Sequence, residues 1–420
     1  MKFPIATLVL ACLAAANPLI AQAQERDARL LAAAQAAQAE VIATLQTLVA
    51  MESGSANSKG VGRVADFAQA RLQALGAQTE RLVGTESERT MVKGVFKGSG
   101  QLKVLLLAHM DTVYPDGILA SQPYRQDGNR LYGPGIADDK GGIAVILHAL
   151  SLLKDAAWRD YATVTVLFNS DEEIGSAASG DTIANLAALH DVVLSFEPTA
   201  AKAVAKDEGV LLGAAGTATA TMEVKGRAAH AGAAPELGRN ALIELSHQML
   251  ATQDVAKGIP GAQLNWTYSQ GGLVRNQIPE RAYAFADVRL LSPGASDALR
   301  TALEAKVQES KRVPDTEVSI KLEVGRPPYA AGPRGLALAQ RAQAIYQEMD
   351  GRKLLLHPMT GAGTDAGYAS RSGKAAVLES MGLPGWGYHA KDEYIEIDAI
   401  APRLYLTARL LQDLAKNPLP

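Results

Sequence analysis

The amino-acid sequence predicts an α/β protein: a mostly parallel sheet with flanking helices, interrupted by an inserted α+β unit whose sheet is antiparallel. Three observations predict it. Apolar and β-branched runs at residues 105–108, 163–168 and 192–196 suit strands buried on both faces of a parallel sheet. Residues 141–150 are apolar nearly all round, as a buried helix is. Near Gly213 the pattern changes, and residues 282–290 alternate strictly. Ala282, Ala284, Ala286, Val288 and Leu290 fall on one face, and Tyr283, Phe285, Asp287 and Arg289 on the other.

At 420 residues the chain exceeds the size at which one core keeps growing, so two domains are the default. It is 48% hydrophobic and 20% charged with a net charge of −3, ordinary for a soluble globular protein and without the basic excess of a nucleic-acid binder. Residues 1–23 read as a secretory signal, with Lys2 as the positive start, an apolar core and an Ala21-Gln22-Ala23 cleavage site. Pro4, Asn17 and Pro18 interrupt a segment too short to span a bilayer. Cys12, the only cysteine, falls inside it. A lipid-bearing role for Cys12 is the competing reading, with Val9-Leu10-Ala11 a poor lead-in. The mature chain then has no disulfide, and any metal site must use His, Asp and Glu. The expected address is secreted and periplasmic in a bacterium, with no membrane attachment after cleavage.

In chain order, Arg26 to about Glu80 is mainly helical, with Val41, Ile42, Leu45, Leu48 and Val49 at helical spacing. Residues 53–62 form a Gly/Ser loop within it, and residues 64–75 a second helix. Strands are expected near 91–96 and 103–108, a strand at 218–224 and an amphipathic helix at 237–250. Arg326-Pro327-Pro328 leads back out of the insertion. The expected division is therefore 24–212 and 327–420 for the first domain and 213–326 for the inserted one.

Open parallel sheets carry their chemistry beyond the carboxyl ends of their strands. The first run ends at His109 with Asp111 two residues on, which suits a metal ligand whose imidazole is held from behind by a carboxylate. The layout recurs. Residues 163–170 deliver Asp171-Glu172-Glu173, residues 192–196 deliver Glu197, and residues 375–380 run through a Gly/Pro loop to His389. In the Gly-rich stretch 133–142, Asp138 can place one oxygen on each of two metals, and paired cations about 3.5–4 Å apart need such a bridge. Glu172 and Glu173 point in divergent directions at a strand end. Glu173 is then a ligand and Glu172 the general base that moves the proton of the attacking water. Glu197 and His389 complete one ligand set each. Arg289 and Arg326 are candidates to grip a substrate carboxylate, a task suited to guanidinium.

Four stretches carry a family resemblance: His109-Met110-Asp111-Thr112-Val113, residues 133–142 with Asp138-Asp139-Lys140 at their centre, Asp171-Glu172-Glu173, and Phe196-Glu197-Pro198. The chain resembles the co-catalytic zinc metallopeptidases of the aminoacylase and glutamate carboxypeptidase family, and within it the secreted bacterial glutamate carboxypeptidases that hydrolyse folates. The resemblance implies a zinc-exopeptidase-like fold and two zinc ions per chain. It implies His109, Asp138 and Glu197 on one ion, Asp138, Glu173 and His389 on the other, and a cis Asp138–Asp139 peptide. It also implies that the insertion is a lid and dimerisation domain, so that a homodimer is expected. Within it, His230 resembles the histidine that reaches across the dimer to the scissile oxyanion, and Asn276 the lid asparagine. Residues 360–365, with Thr360 and Gly363, resemble the Gly-rich substrate loop. Departures fall at Arg275, Gln277, Ala362 and residues 202–208. The implied activity is hydrolysis of the amide to a C-terminal glutamate in a small-molecule substrate: folates, antifolates or N-acyl-glutamates. The competing readings are an N-acyl-amino-acid deacylase or dipeptidase with the same machinery, and a metal-free binding protein, which should have lost a ligand or Glu172.

Overall fold

The computed structural model describes residues 26–84, 89–292 and 294–420. The expected signal segment, Cys12 included, lies outside them. The chain opens with α1 (Ala28–Ala36), α2 (Gln38–Val49) and α3 (Ser58–Leu75). The third begins inside the stretch expected as a loop. The Asn57 side chain accepts the Gly60 N–H and caps it, so a Ser/Gly-rich composition hides a helix start. Strand β1 (Gln78–Val83) likewise begins where helix was expected to continue.

The main sheet adds β2 (Thr90–Lys97) and β3 (Lys103–His109). After α4 (Lys140–Asp155) come β4 (Thr163–Asn169), α5 (Gly180–Ala187) and β5 (Val192–Ser195). In space the strands run β1-β2-β4-β3-β5, with a late strand, Ala376–Leu378, beside β5. The sheet is mixed: β3 pairs in parallel with β4 and β5, and β5 with the late strand, while the β1–β2 and β2–β4 pairs are antiparallel. The register sets His109 opposite Asn169 and Leu107 opposite Ser195. Three neighbouring strands therefore stop together, and the residues after them share one rim.

Helix α4 explains why its sequence is apolar all round: every residue from Lys140 to Leu150 is buried. Burying side chains of this kind contributes about 1.5–3 kcal/mol each. Two buried groups on α4, Lys140 and His148, are titratable. His148 is 2% exposed, with its Nε2 2.9 Å from Thr44 Oγ1. Burial, with Arg71 adding to it, lowers its pKa to about 4. The fold therefore holds the ring neutral while the unfolded chain protonates near pH 6.5. Its contribution is complete above pH 6.5 and is lost as pH falls toward 4, by up to ~1.4 kcal/mol per pH unit. His148→Gln is expected to flatten the acid side of the stability curve between pH 6.5 and 4.5. Urea melts at several pH values check this, and parallel wild-type and variant curves would refute it.

The insertion contributes β6 (Gly216–Lys225), α6 (Ala241–Thr252), β7 (Ala262–Gly271), β8 (Arg281–Leu290), α7 (Ala295–Glu309) and β9 (Glu317–Val324). Its four strands form an antiparallel sheet in the order β7-β8-β6-β9. Ala282, Ala284, Ala286, Val288 and Leu290 are buried in the clusters that also contain Leu245 of α6 and Leu299 of α7, as strict alternation requires. Asn240 caps α6, so the helix starts at Ala241 and residues 235–237 form a separate turn. Among the described residues no helix is long and apolar enough to cross a membrane.

Candidate metal centre

His109 ends β3, and its side chain is 2% exposed. Its Nδ1 donates to the Asp111 carbonyl oxygen at 3.0 Å, with the Asp111 carboxylate 3.5 Å away. That contact turns Nε2 toward Asp138 Oδ1 at 2.9 Å and Glu197 Oε1 at 3.6 Å. The second oxygen of Asp138 faces the other histidine: Asp138 Oδ2 is 3.3 Å from His389 Nε2, and Glu173 Oε2 is 3.0 Å from the same nitrogen. Asp138 thus stands between two histidines, one oxygen toward each. The residues fit metal ions on this ground. Two imidazole nitrogens and the carboxylate oxygens of Asp138, Glu173 and Glu197 meet at 2.9–3.6 Å, an N/O donor set of the kind zinc takes. One oxygen of Glu173 is also buried without a hydrogen-bond partner.

The electrostatics point the same way. Burial drives the carboxyls of Glu172, Glu173 and Glu197 above their ordinary range. Burial also opposes a charged His109, but the Glu197, Asp111 and Asp138 carboxylates outweigh it and hold the ring well above the usual imidazole range. Hydrogen bonds to Asp138 and Glu173 raise His389 to about 10.

Local structure fixes this rim. The Asp138–Asp139 peptide is cis. Asp139 accepts the His109 N–H at 3.2 Å and, as the cap of α4, the Gly142 N–H at 3.1 Å. A side chain at Gly142 would lie 2.2 Å from Asp139 Oδ1 and 2.4 Å from the Phe196 carbonyl, so only glycine fits there. Asp111 does more than back the imidazole: its oxygens accept the N–H groups of Glu172 and Glu173 at 3.2 and 3.3 Å and the Ser55 hydroxyl at 2.7 Å. His389 sits at φ 60°, an uncommon backbone conformation for a non-glycine residue.

Glu172 is nearly buried, and its Oε1 lies 2.7 Å from Arg326 Nη1 while Arg326 Nη2 donates to the Glu172 carbonyl. Arg326, read in the sequence as a binder of substrate carboxylate, lines the cavity and is paired with Glu172 in this structure. Arg289, Thr360 and Gly363 line the same cavity of about 930 Å³ as Asp138, Glu173 and His389. Arg289 is paired there with Asp287 at 3.0 Å. Two expected site residues lie elsewhere. His230 is exposed on a short strand, its Nδ1 accepting the Gly232 and Ala233 N–H groups at 3.2 and 3.1 Å. The Asn276 carbonyl accepts the Ala231 N–H at 2.9 Å, so the two neighbour each other, and neither lines the cavity of their own chain.

Sequence reasoning assigned no role to three buried acids that hold the rim. Glu393 accepts the N–H groups of Gly135, Ala137 and Asp138 at 2.8, 2.8 and 3.0 Å and the Tyr114 hydroxyl at 2.8 Å. Asp171 accepts the Ala178 and Ser179 N–H groups at 2.8 and 3.2 Å. Asp365 accepts from Asn169 at 2.7 Å and from Ser176. Asp365 stands inside the Gly-rich stretch already singled out and was findable; nothing in the local pattern marks Glu393.

Residues 105–413 match peptidase family M20/M25/M40. The chain is 46% identical over 401 residues to carboxypeptidase G2 from Pseudomonas sp. (strain RS-16), covering 94% of each chain. It is 31% identical over 256 residues to acetylornithine deacetylase from Myxococcus xanthus, covering 56% of this chain and 63% of that one. Among solved structures, the M20 family metallo-carboxypeptidase Sso-CP2 from Sulfolobus solfataricus superposes with a TM-score of 0.69 at 17% identity, over 89% of this chain and 98% of that one. Aminopeptidase PepT from Bacillus cereus superposes at 0.70 with 19% identity, over 90% and 99%. These two likenesses concern the fold.

Proposed function

Because the chain belongs to peptidase family M20/M25/M40 and is a metal-dependent hydrolase, we propose that it is a dizinc carboxypeptidase that cleaves the amide to a C-terminal glutamate. Folates, antifolates and N-acyl-glutamates are its substrates. The observation that carries the reading is Asp138, with one oxygen toward His109 and one toward His389 on the floor of a cavity that also presents Arg289. The 46% identity to carboxypeptidase G2 supports the choice of glutamate.

His109, Asp138 and Glu197 would hold one ion and Asp138, Glu173 and His389 the other. Bound there, zinc supplies a polarised carbonyl and an acidified water. Glu172 takes the proton of the attacking water and passes it to the leaving nitrogen. Arg326 keeps the Glu172 carboxylate aimed through the 2.7 Å contact. Arg289 binds the free carboxylate of the glutamate. Residues 213–326 act as a lid that pairs two chains, which gives the exposed His230 and the neighbouring Asn276 a cavity to serve in the partner. The N-terminal segment directs export to the periplasm.

Release of glutamate from an N-acyl-glutamate tests the reading, beside an acetylated non-acidic amino acid and a dipeptide. Chelation is expected to abolish turnover and lower the melting temperature, and zinc to restore both. At free metal near 100 times Kd, each ion adds about 2.7 kcal/mol to folding stability. Turnover of only the acetylated amino acid or the dipeptide would overturn the glutamate specificity, and turnover unaffected by chelation would overturn the metal chemistry.

A further inference from the structure

A groove of about 500 Å³ opens at the pole of the main sheet away from the metal centre. It lies where α3, β2 and α4 end and β4 begins. Phe96 of β2 stands opposite Val164 of β4, and both line it. Helix α4 separates this groove from the chemistry. It starts at Lys140, beside the Asp138–Asp139 peptide, and its 16 residues span about 24 Å. The groove and the catalytic cavity share no lining residue among those described.

Its wall is apolar and fixed. Leu153, Tyr161 and Val164 are buried, and Leu75, Phe96 and Trp158 pack half-buried against the same core. Helix α4 ends in a left-handed turn: Ala157 takes φ 53° and donates to the Lys154 carbonyl, and the Trp158 N–H donates to the Leu153 carbonyl, both at 2.9 Å. This pattern folds the second residue past the helix end back onto its last turn. The Trp158 ring rests 4.8 Å from that of Tyr161.

The charged residues of the lining are all cations: Lys97, Lys154 and Arg159, each exposed. Lys154 Nζ donates to the Ala74 carbonyl at 2.8 Å, and Arg159 Nη2 to the Lys97 carbonyl at 3.0 Å. These contacts hold two of the charges in place without neutralising them. None of the three is ion-paired with a carboxylate among the described residues. Asp155 and Asp160, their neighbours in sequence, do not line the groove.

We propose that this groove is a second binding site, for a single-chain amphipathic anion: an alkyl carboxylate whose chain lies against Phe96, Leu153 and Trp158 and whose head meets Lys154 and Arg159. An apolar wall takes the chain, and uncompensated cations at its exposed edge take the carboxylate. The volume falls within the roughly 300–1,000 Å³ of small-molecule sites. The site stands apart from the carboxypeptidase reading, since no catalytic residue takes part in it.

The experiment titrates decanoate, octanoate and decan-1-ol, each below its micellar concentration, into zinc-loaded protein freed of excess metal. Indole emission and melting temperature are read. Decanoate is expected to shift the emission to the blue and raise the melting temperature of the wild type. The blue shift should vanish in Trp158→Phe, where Trp266 and Trp386 remain as controls outside the groove. In the double variant Lys154→Gln, Arg159→Gln the glutamines keep donors for the two carbonyls and lose the charge. Its Kd for decanoate is expected to rise at least tenfold. Octanoate, two methylenes shorter, is expected to bind about tenfold more weakly than decanoate, and decan-1-ol at least tenfold more weakly. The same titration of Arg289→Ala separates this site from the catalytic cavity, and its decanoate Kd is expected to stay unchanged. No response to decanoate, a blue shift that survives in Trp158→Phe, or an unchanged Kd in the double variant would overturn the proposal. So would equal affinity for the alcohol or for octanoate, or binding lost in Arg289→Ala.

Discussion

Glu172→Gln is expected to lower kcat by about 10²–10⁴-fold on any substrate the enzyme accepts, with KM nearly unchanged and the metal content intact. The amide is isosteric, and its oxygen can still face Arg326 Nη1, which lies 2.7 Å from the native carboxylate. What is lost is the ability to take a proton. Burial raises the Glu172 carboxyl well above its ordinary range, with the Arg326 charge opposing the rise, so the fold tunes this group toward proton exchange. Steady-state kinetics with metal analysis of the same sample checks the prediction. Wild-type turnover would remove Glu172 from the mechanism, and loss of metal would make it a ligand.

The largest stability effect outside the metal ligands is expected at Glu393. Glu393→Ala strands the N–H groups of Gly135, Ala137 and Asp138 and the Tyr114 hydroxyl, all now within 3.0 Å of one carboxylate. Each buried donor left unmatched costs about 1–3 kcal/mol, so a loss of about 3–5 kcal/mol is expected after partial relaxation. Asp138 is among the stranded residues, so metal affinity should fall with stability, by about 10–100-fold. Urea denaturation and zinc titration read the two effects. A loss below about 1 kcal/mol would mean that water satisfies the loop, and unchanged zinc affinity would mean that the loop holds its shape without Glu393.

Several elements were legible because their signals are local. The period-2 pattern of residues 282–290 tells which face is buried whatever packs on it, and Ala282, Ala284, Ala286, Val288 and Leu290 are buried as read. The unbroken apolar run of α4 could only be a core helix. Where non-local partners decided, the reading slipped. The helix α3 depends on one Asn57 side chain finding the Gly60 N–H, and β1 exists because β2 is there to pair with it. The main sheet takes its antiparallel edge from that same pairing, which no window of sequence contains.

The sequence by itself determined the strand runs, the acids and histidines that follow them, and the family to which they belong. An apolar run ending in a ligand residue is a property of the chain alone, as is the absence of cysteine after residue 23. Only the tertiary structure decided what each charged group faces. Arg326 and Glu172 are 154 residues apart yet share a buried ion pair, and Glu393 reaches the loop at Gly135 across 258 residues. The physical reason is reach. Backbone periodicity is written within a few residues, whereas the partner of a buried charge is whichever group the folded chain brings within about 3 Å, where charge-assisted hydrogen bonds form.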